Sequence, residues 1–235
     1  MKAFLLAAGK GTRLRPLTDT LPKCLLPVQG VPLLKIWLNI CESAGIHEVL
    51  VNVHAHKDKI REFADQENIH NRVRLHIAEE KELLGSAGTL AENKEFVAGE
   101  KDFYILYGDV LTNVQLSGLI QCHREHQQIV TLGIHQVPNP TQCGIVSTDQ
   151  NGIVQSFIEK PAHPNGNWAF SGVMVANQQI FDYVPAPDQR PADIGFHLLP
   201  RLIGNMAAHK ISGFLLDIGT LNSYNAAQTS WPGLG

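Results

Sequence analysis

Cationic side chains crowd a stretch that has almost no bulk of its own. The segment "LAAGKGTRLRPLT", residues 6–18, sets Gly9 and Gly11 among Lys10, Arg13 and Arg15, and Lys23 follows in "LPKCLLPV". Glycine lets backbone approach a ligand closely, and exposed N–H groups there can cradle phosphate oxygens. An arginine fork matches paired phosphate oxygens, while a lysine acts as a point charge. The chemistry that fits is the holding of a polyphosphate. Elsewhere two carboxylates end apolar runs, Asp109 in "DFYILYGD" and Asp217 in "GFLLD", and Glu159 closes "GIVQSFIEK" beside Lys160. Strand-end acids and Glu–Lys neighbours are also ordinary turn formers and surface pairs. Their meaning depends on what stands around them.

Two familiar phosphate-loop patterns fail here. A dinucleotide fingerprint needs glycine where this chain has Leu14, and no G-x-x-x-x-G-K-[ST] segment occurs. The remaining bland reading, a tight turn with solvated arginines, does not account for the whole thirteen-residue run. Metal ligation by soft donors has little support. The four cysteines, Cys24, Cys41, Cys122 and Cys143, have no C-x-x-C spacing. Cys122, His123 and His126 share a helical pattern with no further ligands at zinc spacing.

The elements that must position these residues read as alternating strands and helices. "KAFLLAA", "HEVLVNVH", "RVRLHIA" and "DFYILYGD" read as strands. "PLLKIWLNICESAG", "KDKIREFADQEN", "SAGTLAENKEF" and "VQLSGLIQCHREH" read as helices. In the last of these, Leu116, Leu119 and Ile120 are expected to face the core. After residue 128 the rhythm changes to "IVTLGIHQV", "CGIVSTD", "GIVQSFIEK" and "AFSGVMVAN", with "DQNG" as a hairpin signal. A helix over "DIGFHLLPRLIGNM", a strand over "KISGFLLDIG" and a helix over 221–228 are expected to follow. The fold class expected is α/β, Rossmann-like: a mixed, mostly parallel sheet flanked by helices. In such a sheet the ligand crevice lies at the carboxyl ends of the strands. The chain reads as one domain over 1–235, with a nucleotide-binding part at about 1–128 and a second part at about 129–228.

A net formal charge of -3 over 235 residues gives no whole-surface affinity for nucleic acid or an acidic membrane. Anion handling must therefore be local. Dispersed cysteines and an N-terminal apolar run too short for a signal peptide point to the cytoplasm. No nucleic-acid or membrane partner is expected, and a homodimer is compatible with the pattern.

The opening segment, "LAAGKGTRLRPLT" followed by "LPKCLLPV", resembles that of the sugar-1-phosphate nucleotidyltransferases, the nucleotide-sugar pyrophosphorylases. Further motifs follow in that family's order: "LLGSAGTL" at 83–90, "YGD" at 107–109, "CGIV" at 143–146, "EKP" at 159–161, "SGV" at 171–173 and "DIGT" at 217–220. The resemblance implies attack by a sugar 1-phosphate on the α-phosphorus of a nucleoside triphosphate, giving NDP-sugar and pyrophosphate. It implies Mg²⁺ as cofactor, held by Asp109 and Asp217. It places Leu6, Ala8, Gly9, Gly11, Thr12 and Arg13 on the nucleotide, with Gly85, Ser86 and Gly88 at its base. Arg13, Lys23 and Asp109 become the catalytic set, and Gly144, Glu159, Lys160 and Gly172 the sugar-phosphate site. The family's helix-opening glycines would let backbone groups read a base edge; Ser86 would also cap that helix. Glu80 and Glu82 read as solvated surface acids. Many relatives have Asn-Ala-Gly where this chain has Phe170-Ser171-Gly172, so Ser171 is the candidate replacement for a polar sugar contact.

"GSAG" resembles the mannose-1-phosphate guanylyltransferase type more than the thymidylyltransferase type. That favours GTP with mannose- or heptose-1-phosphate over UTP- or dTTP-dependent glucose or N-acetylmuramate types. Two other classes compete: a non-catalytic sensor on the same fold, and a cytidylyl- or molybdopterin-type transferase. The first should have lost its charged positions; the second lacks "RLRPLT", "EKP" and "DIGT". No hexapeptide repeat is present, so no C-terminal β-helix domain is expected, and the tail "SWPGLG" is expected to be irregular and frayed.

Overall fold

Phe4, Leu5, Val49, Val51, Phe103 and Ile105 are wholly buried, because strands covered on both faces need apolar residues at consecutive positions. The computed structural model describes residues 1–70 and 72–234. In chain order the strands and α-helices are β1 (Lys2–Leu6), β2 (Pro27–Val28), β3 (Val31–Pro32), α1 (Leu33–Ser43), β4 (Glu48–Val53), α2 (Lys57–His70), β5 (Arg74–Glu79), α3 (Ser86–Glu92) and β6 (Asp102–Tyr107). There follow β7 (Val110–Thr112), α4 (Leu116–His126), β8 (Val130–Gln136), β9 (Gly144–Thr148), β10 (Val154–Glu159), β11 (Trp168–Asn177), β12 (Met206–Lys210), β13 (Leu215–Asp217) and α5 (Leu221–Ser230). The architecture is of the expected class, α/β with a mixed sheet flanked by helices. The chain divides into two compact units: Met1–Leu83 with Leu106–Val114 and Gly213–Gly235, and Leu84–Ile105 with Gln115–Ser212.

In the first unit β1 pairs in parallel with β4, and β4 with β5. α1 is buried over most of its length, from Leu33 to Cys41. Its Trp37 donates from Nε1 to the carbonyl of Val110 at 2.9 Å, tying the helix to β7. β7 runs antiparallel to β13, with Val110 opposite Asp217. Thr220 and Ser223 close a reciprocal cap that starts α5. The described part of the tail is irregular but not frayed. Trp231 is buried, packs edge-on against Phe214 at 5.4 Å and accepts at its carbonyl from Gln29 Nε2; Gly235 lies outside the described residues.

In the second unit β11 is antiparallel to β8 and β9, β9 to β10, and β12 runs parallel with β8. The β9–β10 hairpin turns where expected, with Asp149 accepting the N–H groups of Asn151 and Ile153. α4 buries Leu116, Leu119, Cys122 and His123, and Ile120 is half-buried.

Two elements differ from the sequence expectation. No α-helix forms over 193–206. A single π turn, Ile194–Leu198, passes into a 3-10 turn, Leu199–Leu202. Pro200 has no N–H to donate and its ring would clash with a helical carbonyl, and Gly195 weakens helix further. The strand expected over 210–219 is two strands, because Gly213 breaks it at φ +118. β7, and the β2–β3 hairpin turning at Gln29-Gly30, are too short to leave a periodic signal.

We expect Trp37→Phe to destabilise the protein by roughly 1–3 kcal/mol, because the aromatic ring is kept but Val110 loses its buried donor. Urea unfolding should show a lower midpoint at unchanged slope.

Candidate active site

The glycine-rich loop follows directly from β1. Asn52, a polar residue buried in β4, accepts the N–H of Ala7 at 2.7 Å and so fixes where strand becomes loop. Gly11 stands at φ +62, and its carbonyl accepts both Thr18 Oγ1 at 2.8 Å and the N–H of Leu14 at 2.9 Å. A side chain at Gly11 would meet Thr18 at 2.9 Å, so both conformation and space demand glycine. Buried Leu14 anchors the short turn Thr12–Leu14 and leaves Thr12 and Arg13 exposed.

A cavity of about 240 Å³ opens beside this loop. Leu6, Gly9, Gly11, Thr12, Arg13, Lys23 and Asp109 all line it. Ala8 instead lines a shallow adjoining cleft with Val53 and His54. Arg15 points elsewhere, paired with Asp19 on the surface at 3.1 Å. Sequence reading missed Asn52 and assigned nothing to Gly219, which also lines the cavity. A polar residue inside "VLVNV" was the available signal for Asn52.

The two strand-end carboxylates meet here. Since Val110 and Asp217 are opposite each other and the N–H of Ile218 bonds the Asp109 carbonyl, the β7–β13 ladder holds Asp109 and Asp217 together. Lys23 reaches both, with Nζ 3.0 Å from Asp109 Oδ2 and 3.9 Å from Asp217 Oδ1. Its side chain is only 10% exposed, because Cys24, Leu25 and Leu26 bury the turn that carries it. Asp217 Oδ1 also accepts the N–H of Gly219 at 2.6 Å. Burial and then the Asp109 charge push the Asp217 carboxyl above its ordinary range, against the pull of Lys23, Gly219 and Arg13. Its side chain is 66% exposed, so solvent screens part of this effect. Cys24 touches the cavity, but burial pushes its thiol up to about 12, which rules it out as a nucleophile near neutral pH.

The second unit carries a different polar group of residues. Gly144 faces Glu159 across the β9–β10 ladder. A methyl group at Gly144 would sit 2.7 Å from Glu159 Oε2, and one at Gly195 would sit 2.6 Å away. Two glycines thus make the space in which this carboxylate lies. Burial, and secondarily Asp193, raise its pKa, while Lys160 acts against them. Lys160 follows at φ +49, with Nζ 3.9 Å from Glu159 Oε1. Asp193 was not singled out from the sequence, although an acid before "IGFH" is a capping signal. Its Oδ1 accepts from Gly195 and Phe196, and its Oδ2 accepts Ser86 Oγ at 3.0 Å.

Several expectations need correction. Ser86 does not cap α3; Gly85 precedes that helix, and Ser86 bonds Asp193 and the N–H of Ile194. The N–H groups of Ala87 and Gly88 are spent on the Ala192 carbonyl, at 2.9 and 3.3 Å. The backbone of Ala192 packs so closely on Gly85 that no side chain fits there, and Gly88 is buried beside Leu84 and Arg190. Gly172, at φ +77, forms the irregularity in β11. Ser171 is buried and donates to the Gly133 carbonyl at 2.8 Å, so it is no sugar contact. Glu80 is not a surface acid. It is 7% exposed and accepts from Asn52 Nδ2 at 2.8 Å, whereas Glu82 is exposed. His123 is held in the core by Thr131, at 2.9 Å.

Removing one charge of the aspartate pair should relieve repulsion and desolvation. We expect Asp217→Asn to leave thermal stability in chelator equal or higher than wild type, because its amide oxygen still accepts from Gly219. Raising pH through the carboxyl's elevated titration range should destabilise wild type relative to this variant. The reason is that a raised folded-state pKa favours the neutral acid, whose advantage is lost as the group ionises. Differential scanning fluorimetry across pH measures both.

Comparison with known proteins identifies the family and the fold. The profile of the family described as "Nucleotidyl transferase" matches residues 2–231. The chain is 30% identical over 223 residues to the mannose-1-phosphate guanylyltransferase catalytic subunit beta of Xenopus tropicalis, covering 93% of this chain and 61% of that protein. It is 33% identical over 244 residues to a UTP–glucose-1-phosphate uridylyltransferase of Synechocystis, covering 95% and 61%. The chain thus spans about three fifths of these relatives. A crystal structure described as a putative glucose-1-phosphate thymidylyltransferase from Bacillus anthracis superposes with a TM-score of 0.86 at 22% identity, over 97% of this chain and 94% of that one, and shares its fold. Among the described residues no helix is long and apolar enough to cross a membrane. The ordered motifs and the profile match over nearly the whole length lead to one conclusion: the chain belongs to the nucleotidyl transferase family.

Proposed function

We propose that the protein transfers a nucleotidyl group from a nucleoside triphosphate to a sugar 1-phosphate. The observation that carries this reading is Lys23 set between Asp109 and Asp217 at a glycine-lined, arginine-edged cavity. In the reaction a phosphate oxygen of the sugar 1-phosphate attacks the α-phosphorus. The bond from that phosphorus to the α,β-bridging oxygen breaks, and pyrophosphate leaves with the electron pair. The nucleophile is already anionic, so no side-chain nucleophile is required. What the chain must supply is positioning and positive charge.

Each residue has a role in that scheme. Leu6, Ala8, Gly9, Gly11 and Thr12 form the loop against which the triphosphate lies, and Arg13 grips it. Lys23 neutralises phosphate near the reacting centre. Gly85, Ser86 and Gly88 are the segment that the family resemblance assigns to the base, with Ser86 the one side chain there able to hydrogen-bond. Glu159 accepts from sugar hydroxyls, Lys160 pairs with the sugar phosphate, and Gly144 keeps their space clear. Gly172 supports this pocket indirectly by bending β11.

Asp109 and Asp217 fit Mg²⁺. Both offer hard oxygen donors, and the pair already requires a neutralising cation, a place Lys23 Nζ fills at 3.0 and 3.9 Å. Two carboxylates suit Mg²⁺, which takes its remaining oxygens from phosphates and water. When bound, the ion would supply positive charge to the phosphate oxygens.

For substrates we infer GTP with mannose- or heptose-1-phosphate, on the "GSAG" segment and the guanylyltransferase relatives. Uridylyl transfer to glucose 1-phosphate is the second reading, favoured by the Synechocystis relative. A cytoplasmic setting belongs to this reading, since none of the four cysteines is joined in a disulfide.

Pyrophosphate release in a grid of nucleoside triphosphates against sugar 1-phosphates, with and without Mg²⁺, tests the proposal. We expect one metal-dependent combination to dominate, and Asp109→Ala to lower its rate by at least about 100-fold. A grid dark throughout would overturn the catalytic reading. A dominant UTP–glucose-1-phosphate combination would replace the substrate assignment alone.

A further inference from the structure

Phe196 is a large apolar side chain that the fold leaves 52% exposed. Its surroundings are polar and rigid. Asp193 Oδ1 accepts its N–H at 3.2 Å and that of Gly195 at 2.8 Å. Asp193 is itself held by Ser86 Oγ, and its N–H donates to His197 Nδ1 at 2.9 Å. The turn beneath Phe196 therefore has its donors and acceptors spent on fixing its shape. The same turn passes so close to Glu159 that Gly195 has no room for a methyl group. Lys160 Nζ lies 5.9 Å from the centroid of the Phe196 ring. This places an aromatic face, an ammonium and a half-buried carboxylate side by side in one unit.

A hexopyranose 1-phosphate has three chemically distinct features. Its hydroxyls donate hydrogen bonds, its phosphate carries negative charge, and its ring presents C–H groups on a face. Glu159 accepts the first and Lys160 pairs with the second, which leaves the third without a partner. An exposed ring held beside both charges supplies it. Lys160 gains from the same arrangement, because an aromatic face attracts a cation at this distance.

Resting on the transferase reading above, we infer that Phe196 contacts the sugar, stacking against a C–H face of the pyranose and selecting ring geometry. On this inference the effect of Phe196 falls on the sugar phosphate.

Steady-state kinetics with the sugar 1-phosphate that the grid identifies tests this. Phe196→Ala should raise the KM for the sugar phosphate by about tenfold, the scale of one lost aromatic contact, with the KM for the nucleoside triphosphate unchanged. Phe196→Trp should keep the KM within about twofold, since it retains an aromatic face. It also adds a reporter: fluorescence of the introduced indole should shift on titration with the sugar phosphate, in the absence of nucleotide, and not with inorganic phosphate. Wild-type turnover with an unchanged sugar KM in Phe196→Ala would overturn this inference and leave the transferase reading intact. The same result with altered sedimentation would make Phe196 a contact between copies instead. A wild type inactive on every sugar phosphate, with no fluorescence response, would overturn both.

Discussion

Two carboxylates held beside each other repel, and the first unit is built around holding them there. The β7–β13 ladder leaves Asp109 and Asp217 no freedom to separate, because Val110 is opposite Asp217 and Ile218 bonds back to Asp109. Trp37 secures β7 from below through Val110. A positive charge must then be close, and Lys23 supplies it from a turn whose apolar neighbours are buried. In the proposed reaction a bound cation would share in that compensation. That is the pattern expected of a binding centre rather than of a stabilising ion pair.

The glycine-rich loop answers the same constraint from the other side. In the proposed reaction phosphates would reach the carboxylate pair past the backbone between β1 and the cationic residues, which therefore has to carry little bulk. Gly11 is demanded by its left-handed conformation and by Thr18. Behind the loop, Glu80, Asn52 and the Ala7 N–H form a buried chain of hydrogen bonds. Buried polar groups of this kind specify one arrangement, because any other leaves them unsatisfied. In the second unit the same economy appears at Glu159, whose space is bounded by glycines and whose neighbouring turn is fixed by Asp193.

Much of this was legible in the residues alone. Buried parallel strands write themselves as apolar runs, so β1, β4, β5 and β6 and the helices between them were readable. A glycine loop set among arginine and lysine was readable as such, and Asp109 and Asp217 stand at strand ends by spacing. Less legible were elements without a period. Pro200 and Gly195 turned an apparent amphipathic helix into a π turn and a 3-10 turn. Gly213 divided an apparent strand.

The sequence by itself determined which chemical groups are present and on which kinds of element they lie, since periodicity and turn chemistry are local properties. Only the tertiary structure decided which of those groups meet. Asp109 and Asp217 are 3.0 and 3.9 Å from one lysine although they are distant along the chain. Ser171, a candidate sugar contact by sequence, and Glu80, a surface acid by sequence, are consumed by Gly133 and Asn52. Asp193 and Phe196, silent in the sequence, stand beside Glu159 and Lys160. The physical reason is that hydrogen bonding and charge pairing act over a few ångströms, and strand pairing, which sets those distances, joins residues that sequence separation keeps apart.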